Sequence, residues 1–145
     1  MDVIGVIPAR YSSTRFAAKV LADIMGKPML QHVWERARQS RMLDDLIIAC
    51  DNEIILKAAE KFGAKAVMTS KEHTCGTDRI SEVVNPLDVK VIINIQADEP
   101  LIHPMMIDSL ARALLEDKML NMATLMKKIE DVQQITDPNV VKVVV

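Results

Sequence analysis

Short apolar runs of strand length alternate along this chain with longer segments of helical period. The predicted strands are 3–7, 45–50, 66–68, 89–95 and 122–126, with a last apolar run at 140–145. The predicted helices are 29–40, 54–62, 77–84 and 105–115. Such alternation is typical of a parallel sheet whose strands are joined by right-handed helical crossovers. The sequence therefore predicts an α/β fold with a three-layer, mostly parallel sheet, in one domain over residues 1–145.

The overall charge narrows the classes of partner. The net charge is -2, so the chain carries no general positive field for nucleic acid. Only one Trp, one Tyr and two Phe are present, which is too few for a base-stacking surface. We therefore expect no nucleic-acid partner, and any anion site must be built locally.

Cysteine content and hydropathy indicate the compartment. The two cysteines, Cys50 and Cys75, are too few for a disulfide framework, which favours reduced thiols and a cytoplasmic location. The start of the chain lacks a basic leader followed by a long apolar run. No apolar run approaches the length of a membrane span, so we expect no membrane association.

The loop after the first predicted strand is unusually rich in cations. It carries Arg10, Arg15 and Lys19, with the hydroxyls of residues 12–14 between them. Arg and Lys suit phosphate oxygens, although a solvated loop paired with nearby carboxylates is the competing interpretation. The position at the carboxyl end of the first strand favours phosphate. The loop matches neither the dinucleotide glycine fingerprint nor the P-loop.

Polar residues also follow the other predicted strands, at the edge where open parallel sheets bind ligands. They are Asp51 and Asn52 after the second strand; His73, Thr74, Cys75, Gly76, Thr77 and Arg79 after the third; and Gln96, Asp98 and Glu99 after the fourth. A carboxylate such as Asp98 facing the cations could share Mg²⁺ with substrate phosphates. Alternatively, Asp98 or Glu99 forms a salt bridge with Arg10 or Lys19, and this second interpretation is favoured for the carboxylates in isolation.

Several of these residues have simpler expected roles. Thr77 is predicted to cap the following helix, and Asp51 and Asn52 are predicted to start theirs. His73 and Cys75 lack the further ligands or orienting group that a zinc site or a cysteine nucleophile needs. Cys75 is therefore expected to line a pocket.

Five motifs occur in order along nearly the whole chain. They are IPARYSSTR at 7–15, HTCGTDR at 73–79, NIQADEPLI at 94–102, MATL at 122–125 and PNVVKVV at 138–144. Together they resemble the CMP-Kdo synthetase (3-deoxy-manno-octulosonate cytidylyltransferase) family. The resemblance implies a Rossmann-like sheet of the nucleotide-diphospho-sugar transferase type. It also implies transfer of CMP from CTP to Kdo with release of pyrophosphate, for lipopolysaccharide biosynthesis, by a Mg²⁺-dependent cytoplasmic homodimer.

The resemblance also implies roles for individual residues. Arg10, Arg15 and Lys19 would hold the triphosphate, and Asp98 would bind the metal. The cytosine and ribose would be framed by Ala9, Arg10, Cys75, Gly76, Thr77 and Arg79, with Gln96 also contacting the nucleotide.

This chain departs from the family pattern at three site positions. Ala18 and Ala97 stand where the family usually has Gly, and Cys75 stands where it usually has Ser. The family's sugar-binding residues and a second metal carboxylate correspond to positions beyond Val145, so we expect the N-terminal part of a longer cytidylyltransferase. Two alternatives stay open: a cytidylyltransferase for another acidic or amino sugar, and a CTP-binding module without turnover.

Overall fold

The structure of the chain is a computed structural model that describes residues 1–11 and 18–144. The strands are β1 Val3–Ala9, β2 Asp23–Ile24, β3 Lys27–Pro28, β4 Asp45–Cys50, β5 Lys65–Met68 and β6 Val91–Asn94. The helices are α1 Met29–Ala37, α2 Glu53–Lys61, α3 Gly76–Val84, α4 Pro104–Glu116 and α5 Gln133–Thr136, with a 3₁₀ turn at Lys19–Leu21.

Four of the strands form one parallel sheet in the order β5-β4-β1-β6. The central strand β1 alternates its side chains between two cores. Ile7 and Ala9 pack with α1, α2 and α4, whereas Ile4 and Val6 pack with α3 on the opposite face. Both faces are therefore covered, which explains why the strand sequences are almost continuously apolar. The predicted three-layer α/β architecture is confirmed.

The local signals for α2 are also confirmed. Asn52 accepts a hydrogen bond from the Ile54 amide at 2.8 Å and so caps the helix, as predicted. Beyond its end, Gly63 adopts a φ of 82°, the left-handed conformation that commonly terminates helices. The small hairpin of β2 and β3 was not predicted, because its paired segments are only two residues long.

Two predicted strands are wrong. Residues 122–126 and 140–144 form no strand, and Val145 lies outside the described residues. Met122 is 84% exposed and Val141 90% exposed, so neither run is buried against the sheet. An apolar run of β-type residues becomes a strand only when a neighbouring strand takes its backbone hydrogen bonds, and neither run is paired with β6. The predicted turn at 137–139 is present, closed by the Val140 amide on the Asp137 carbonyl at 3.2 Å.

Within residues 1–11 and 18–144, no helix combines the length and apolar character needed to span a membrane.

Candidate functional site

A cavity of about 300 Å³ lies at the carboxyl edge of the sheet, where β1, β4, β5 and β6 end. It is lined by Pro8, Arg10, His73, Thr74, Cys75, Gly76, Arg79 and Gln96. The loops after β1, β5 and β6 therefore meet as predicted, although they are far apart in sequence. A larger hollow of about 1010 Å³ involves only residues between 124 and 143 and none of the predicted site residues.

The predicted phosphate cation Lys19 and the predicted metal carboxylate Asp98 form an ion pair. The Lys19 Nζ atom donates to Asp98 Oδ2 at 2.8 Å, and the two side chains are 51% and 49% exposed. This is the salt bridge that the sequence left as the alternative to a metal site. Arg10 is exposed at the cavity, whereas Arg15 and the hydroxyls of residues 12–14 lie outside the described residues.

At the end of β1, Pro8 rather than the Ala9 side chain faces the cavity. Ala9 is fully buried in the hydrophobic core. A Cβ atom at Gly76 would lie 3.1 Å from Pro8 Cγ, so the start of α3 approaches β1 closely. A glycine at the beginning of a helix is the sequence signal that could have indicated this contact.

The cap of α3 is Cys75, and the prediction that Thr77 caps this helix is wrong. Cys75 Sγ accepts a hydrogen bond from the Asp78 amide at 3.4 Å, and the thiol also lies 3.1 Å from Asp78 Oδ2. Thr77 is exposed and lies inside the helix, past the capping position. The thiol takes the place of the Ser or Thr hydroxyl that usually caps a helix. Cys75 also lines the cavity, as predicted.

Arg79 lies in the cavity wall, with its guanidinium bound by protein groups. It donates to Thr69 Oγ1, to the Ser70 carbonyl at 3.1 Å and to Asp51 Oδ2 at 3.1 Å. The Arg79 and Asp51 side chains are only 3% and 12% exposed. Asp51 lies directly before Asn52, the cap of α2, as predicted, but its side chain is the partner of a buried cation and not a cap. The predicted contact of Arg79 with the nucleotide stays a prediction.

The Glu82 carboxylate binds two residues of the loop between β5 and α3. Its Oε2 atom accepts from the Ser70 amide at 3.0 Å and is paired with His73 Nε2. The Ser70 amide, followed by His73, lowers the pKa of Glu82 below its ordinary value, because both stabilise the carboxylate. The sequence did not indicate Glu82, which lies nine residues after His73 on the exposed side of α3.

Both cysteines are free thiols, as the sequence predicted. Cys50 is buried at the end of β4, and burial raises the pKa of its thiol. Cys75 is exposed.

The carboxylate at the Lys19–Asp98 pair is that of Asp98. Over the described part of the chain, no group of three or more His, Cys, Asp or Glu side chains is placed to hold a metal ion. A single half-exposed carboxylate is a donor set that fits Mg²⁺ shared with substrate phosphates and water.

The fold and the edge site together define a nucleotidyltransferase-type α/β protein. The chain belongs to the cytidylyltransferase family, whose model matches residues 4–145. The 3-deoxy-manno-octulosonate cytidylyltransferase of Geotalea uraniireducens (strain Rf4) is 50% identical over 144 residues. The enzyme of the same name from Solibacter usitatus (strain Ellin6076) is 52% identical over 142 residues.

A solved structure of CMP:2-keto-3-deoxy-manno-octonic acid synthetase complexed with CTP is also similar. It has a TM-score of 0.80 and 42% sequence identity, over 83% of this chain and 50% of that one. A cytidylyltransferase from Leptospira borgpetersenii shares the fold, with a TM-score of 0.70 over 81% of this chain and 50% of that one, at 20% identity.

These comparisons cover only part of the relatives. The alignment with the Geotalea uraniireducens enzyme includes 99% of this chain but 57% of the relative, and the Solibacter alignment includes 98% and 56%. The chain therefore spans little more than half the length of the curated relatives that it matches.

Proposed function

We propose that this chain is the nucleotide-binding part of a cytidylyltransferase that transfers CMP from CTP to Kdo and releases pyrophosphate. The observation that carries the proposal is the 42% identity and TM-score of 0.80 to a synthetase whose structure was solved with CTP. The cavity at the carboxyl edge, with Arg10 on its wall, supports the same assignment.

The proposed chemistry depends chiefly on binding and orientation. The sugar hydroxyl attacks the α-phosphorus of CTP, the new oxygen–phosphorus bond forms, and the bond to the β-phosphate breaks to release pyrophosphate. Most of the rate enhancement then comes from positioning the triphosphate and neutralising its charge. We assign this to Arg10 and Lys19 in the described part of the chain and to Arg15 outside it.

Cytosine and ribose would occupy the cavity between β1 and α3. We assign their binding to the Pro8–Ala9–Arg10 segment, to Cys75, Gly76 and Thr77 at the start of α3, and to Gln96 after β6.

Asp98 is the residue that would hold Mg²⁺. The bound metal would neutralise charge on the triphosphate oxygens. The Lys19–Asp98 pair fits this use, because a phosphate of CTP would suit the ammonium and a divalent cation would suit the carboxylate. Each side chain would exchange one ionic partner for another and keep its charge paired.

Two alternatives remain from the sequence. The chain spans 57% of the Geotalea uraniireducens relative, so specificity for another acidic or amino sugar is one alternative. A module that binds CTP without turnover is the other, and the altered positions Ala18, Ala97 and Cys75 favour it. A homodimer and a cytoplasmic location stay predictions that rest on the family resemblance.

The experiment is a pyrophosphate-release assay with the 145-residue chain, CTP, Mg²⁺ and Kdo, paired with calorimetric CTP binding. Release with Kdo supports the proposal, and release only with another sugar supports the first alternative. CTP binding with no release from any sugar supports the second. If CTP binds no more tightly than ATP or GTP, the cytidylyltransferase assignment is wrong. Arg10→Ala serves as the site variant and should weaken CTP binding.

A further inference from the structure

The buried ion pair of Arg79 and Asp51 joins four elements around the cavity. Asp51 follows β4, Thr69 and Ser70 follow β5, and Arg79 lies on α3. The Arg79 guanidinium donates hydrogen bonds to Asp51, Thr69 and Ser70. It therefore links the loop after β4 to the loop after β5. The fourth element is the end of β1, which Asp51 reaches through its second oxygen.

That second oxygen binds the backbone of residues 10–19, called here the cationic segment because it carries Arg10 and Lys19. Asp51 Oδ1 accepts a hydrogen bond from the Tyr11 amide at 2.8 Å, directly after Arg10. The Tyr11 carbonyl in turn accepts from the Ala18 amide at 2.7 Å, directly before Lys19. The backbones of Tyr11 and Ala18 are thus bonded to each other, and Asp51 holds Tyr11 directly and Ala18 only through Tyr11.

In place of the nucleotide contact that the resemblance implies for Arg79, we propose that Asp51 and Arg79 form a positioning pair, which orients the cationic segment toward the triphosphate and does not itself contact the nucleotide. The inference rests on the proposed function for the identity of the ligand. It gives the two oxygens of the Asp51 carboxylate different roles, since Oδ1 accepts from Tyr11 and Oδ2 accepts from Arg79, and a neutral amide could fill only one of them. Removing one partner leaves the other charge buried without compensation.

The primary variant is Asp51→Asn, which keeps the size of the side chain. Its single oxygen can accept from Tyr11 or from Arg79, and the amide NH₂ cannot accept from the other. Without nucleotide, we expect hydrogen exchange at the Tyr11 and Ala18 amides to accelerate about tenfold or more, with α4 unchanged. Ile107→Val, which trims a fully buried side chain in α4, is the matched control for general destabilisation. The control should leave the Tyr11 and Ala18 amides at their wild-type exchange relative to the rest of the sheet.

Binding measurements then separate positioning from contact. With CTP and Mg²⁺, Asp51→Asn should weaken binding about tenfold. In a double-mutant cycle, Arg10→Ala should cost less affinity in the Asp51→Asn background than in the wild type, because both changes disable the same segment. Arg79→Met should weaken CTP more than CMP, whereas a direct contact with base or ribose would weaken both equally. Arg79→Lys should recover part of the loss.

The outcomes distinguish this inference from the proposed function. If the wild-type chain does not bind CTP, the proposed function fails. The hydrogen-exchange experiment without nucleotide still tests whether Asp51 holds the backbone at Tyr11 and Ala18. If Asp51→Asn leaves exchange at Tyr11 and Ala18 unchanged, or accelerates α4 equally, the positioning role is wrong. Strictly additive losses in the double-mutant cycle, or equal losses of CTP and CMP in Arg79→Met, also overturn it.

Discussion

The ammonium of Lys19 lies 2.8 Å from the carboxylate of Asp98, across 79 residues of sequence. The pair joins the segment after β1 to the loop after β6, at the edge of the sheet that carries the cavity. Both side chains are about half exposed, and an ion pair of this exposure contributes about 0–1 kcal/mol to stability. The fold therefore does not depend on this pair, and the two groups are available to a ligand.

Asp98→Asn should affect ligand binding far more than stability. We expect the free energy of unfolding to change by less than about 1 kcal/mol, because the pair is exposed. Calorimetric affinity for CTP in the presence of Mg²⁺ should fall about tenfold, since a neutral amide is a poor Mg²⁺ ligand. Lys90→Ala is the control, because it breaks a surface ion pair with Asp2 before β1, at the opposite end of the sheet. Unchanged Mg²⁺-dependent CTP binding in Asp98→Asn would show that Asp98 does not hold the metal.

Ala18→Gly should stabilise the chain. Ala18 has φ 55° and ψ 32°, the left-handed conformation that costs an L-residue with a Cβ atom about 1–2 kcal/mol. Part of the gain is offset because glycine has more freedom in the unfolded chain, so we expect a net gain of about 0.5–1 kcal/mol by chemical denaturation.

Ala22→Gly is the matched control for Ala18→Gly. Ala22 lies four positions later with φ -56°, where alanine is unstrained, so the same substitution should lower stability. If both variants lose stability equally, the backbone at Ala18 is not strained.

Cys75→Ser should strengthen the start of α3. A hydroxyl is a better hydrogen-bond acceptor than a thiol for the Asp78 amide, which now lies 3.4 Å from Sγ. We expect about 0.5–1 kcal/mol of added stability, measured as a rise in the thermal midpoint. Thr77→Val should have little effect, because Thr77 is not the capping residue. A clear loss of thermal stability in Thr77→Val, with none in Cys75→Ala, would show that Thr77 and not Cys75 caps α3.

Glu82 should make the loop before α3 sensitive to acid. The pKa of Glu82 is lowered in the folded chain by the Ser70 amide and by His73, so the unfolded chain binds this proton more tightly. The stabilisation is therefore complete above the ordinary glutamate pKa of about 4.3, and it is lost as the pH falls through the lower folded value. The difference in thermal midpoint between wild type and Glu82→Gln should shrink between about pH 6 and pH 3.

The control for this pH series is Glu116→Gln, which removes a carboxylate at the end of α4. Its difference from the wild type should not follow the Glu82→Gln profile. A Glu82→Gln difference that stays constant over the whole series would mean that the carboxylate does not hold the loop.

Strands that are buried on both faces were predictable from sequence alone. Residues 45–50 are β4 with the predicted bounds, because a run such as Leu46 to Cys50 is buried almost throughout. The same apolar signal failed at 122–126 and 140–144, where no neighbouring strand accepts the backbone hydrogen bonds. Apolar composition indicates that a segment favours burial. It does not indicate whether a sheet edge lies beside the segment to accept its hydrogen bonds.

The candidate site was likewise predicted only in part from the sequence. The convergence of Arg10, Cys75 and Gln96 on one cavity was predicted from their positions after parallel strands, here β1, β5 and β6, and the structure confirms it. The bond of Asp51 to the Tyr11 amide and the pairing of Glu82 with His73 were not predicted from the sequence. The partners are 40 and 9 residues apart in sequence, and only folding brings them together.

By itself, the sequence determined the alternation of strands and helices from β1 to α4, apart from the β2–β3 hairpin, and the chemical groups that follow the strands of the sheet. These properties follow from local periodicity and from the direction of the chain in a parallel sheet. Only the tertiary structure decided which charges meet: Lys19 with Asp98, and Arg79 with Asp51. A charge has no preferred partner along the chain, and its partner is the opposite charge that folding places within a few ångströms.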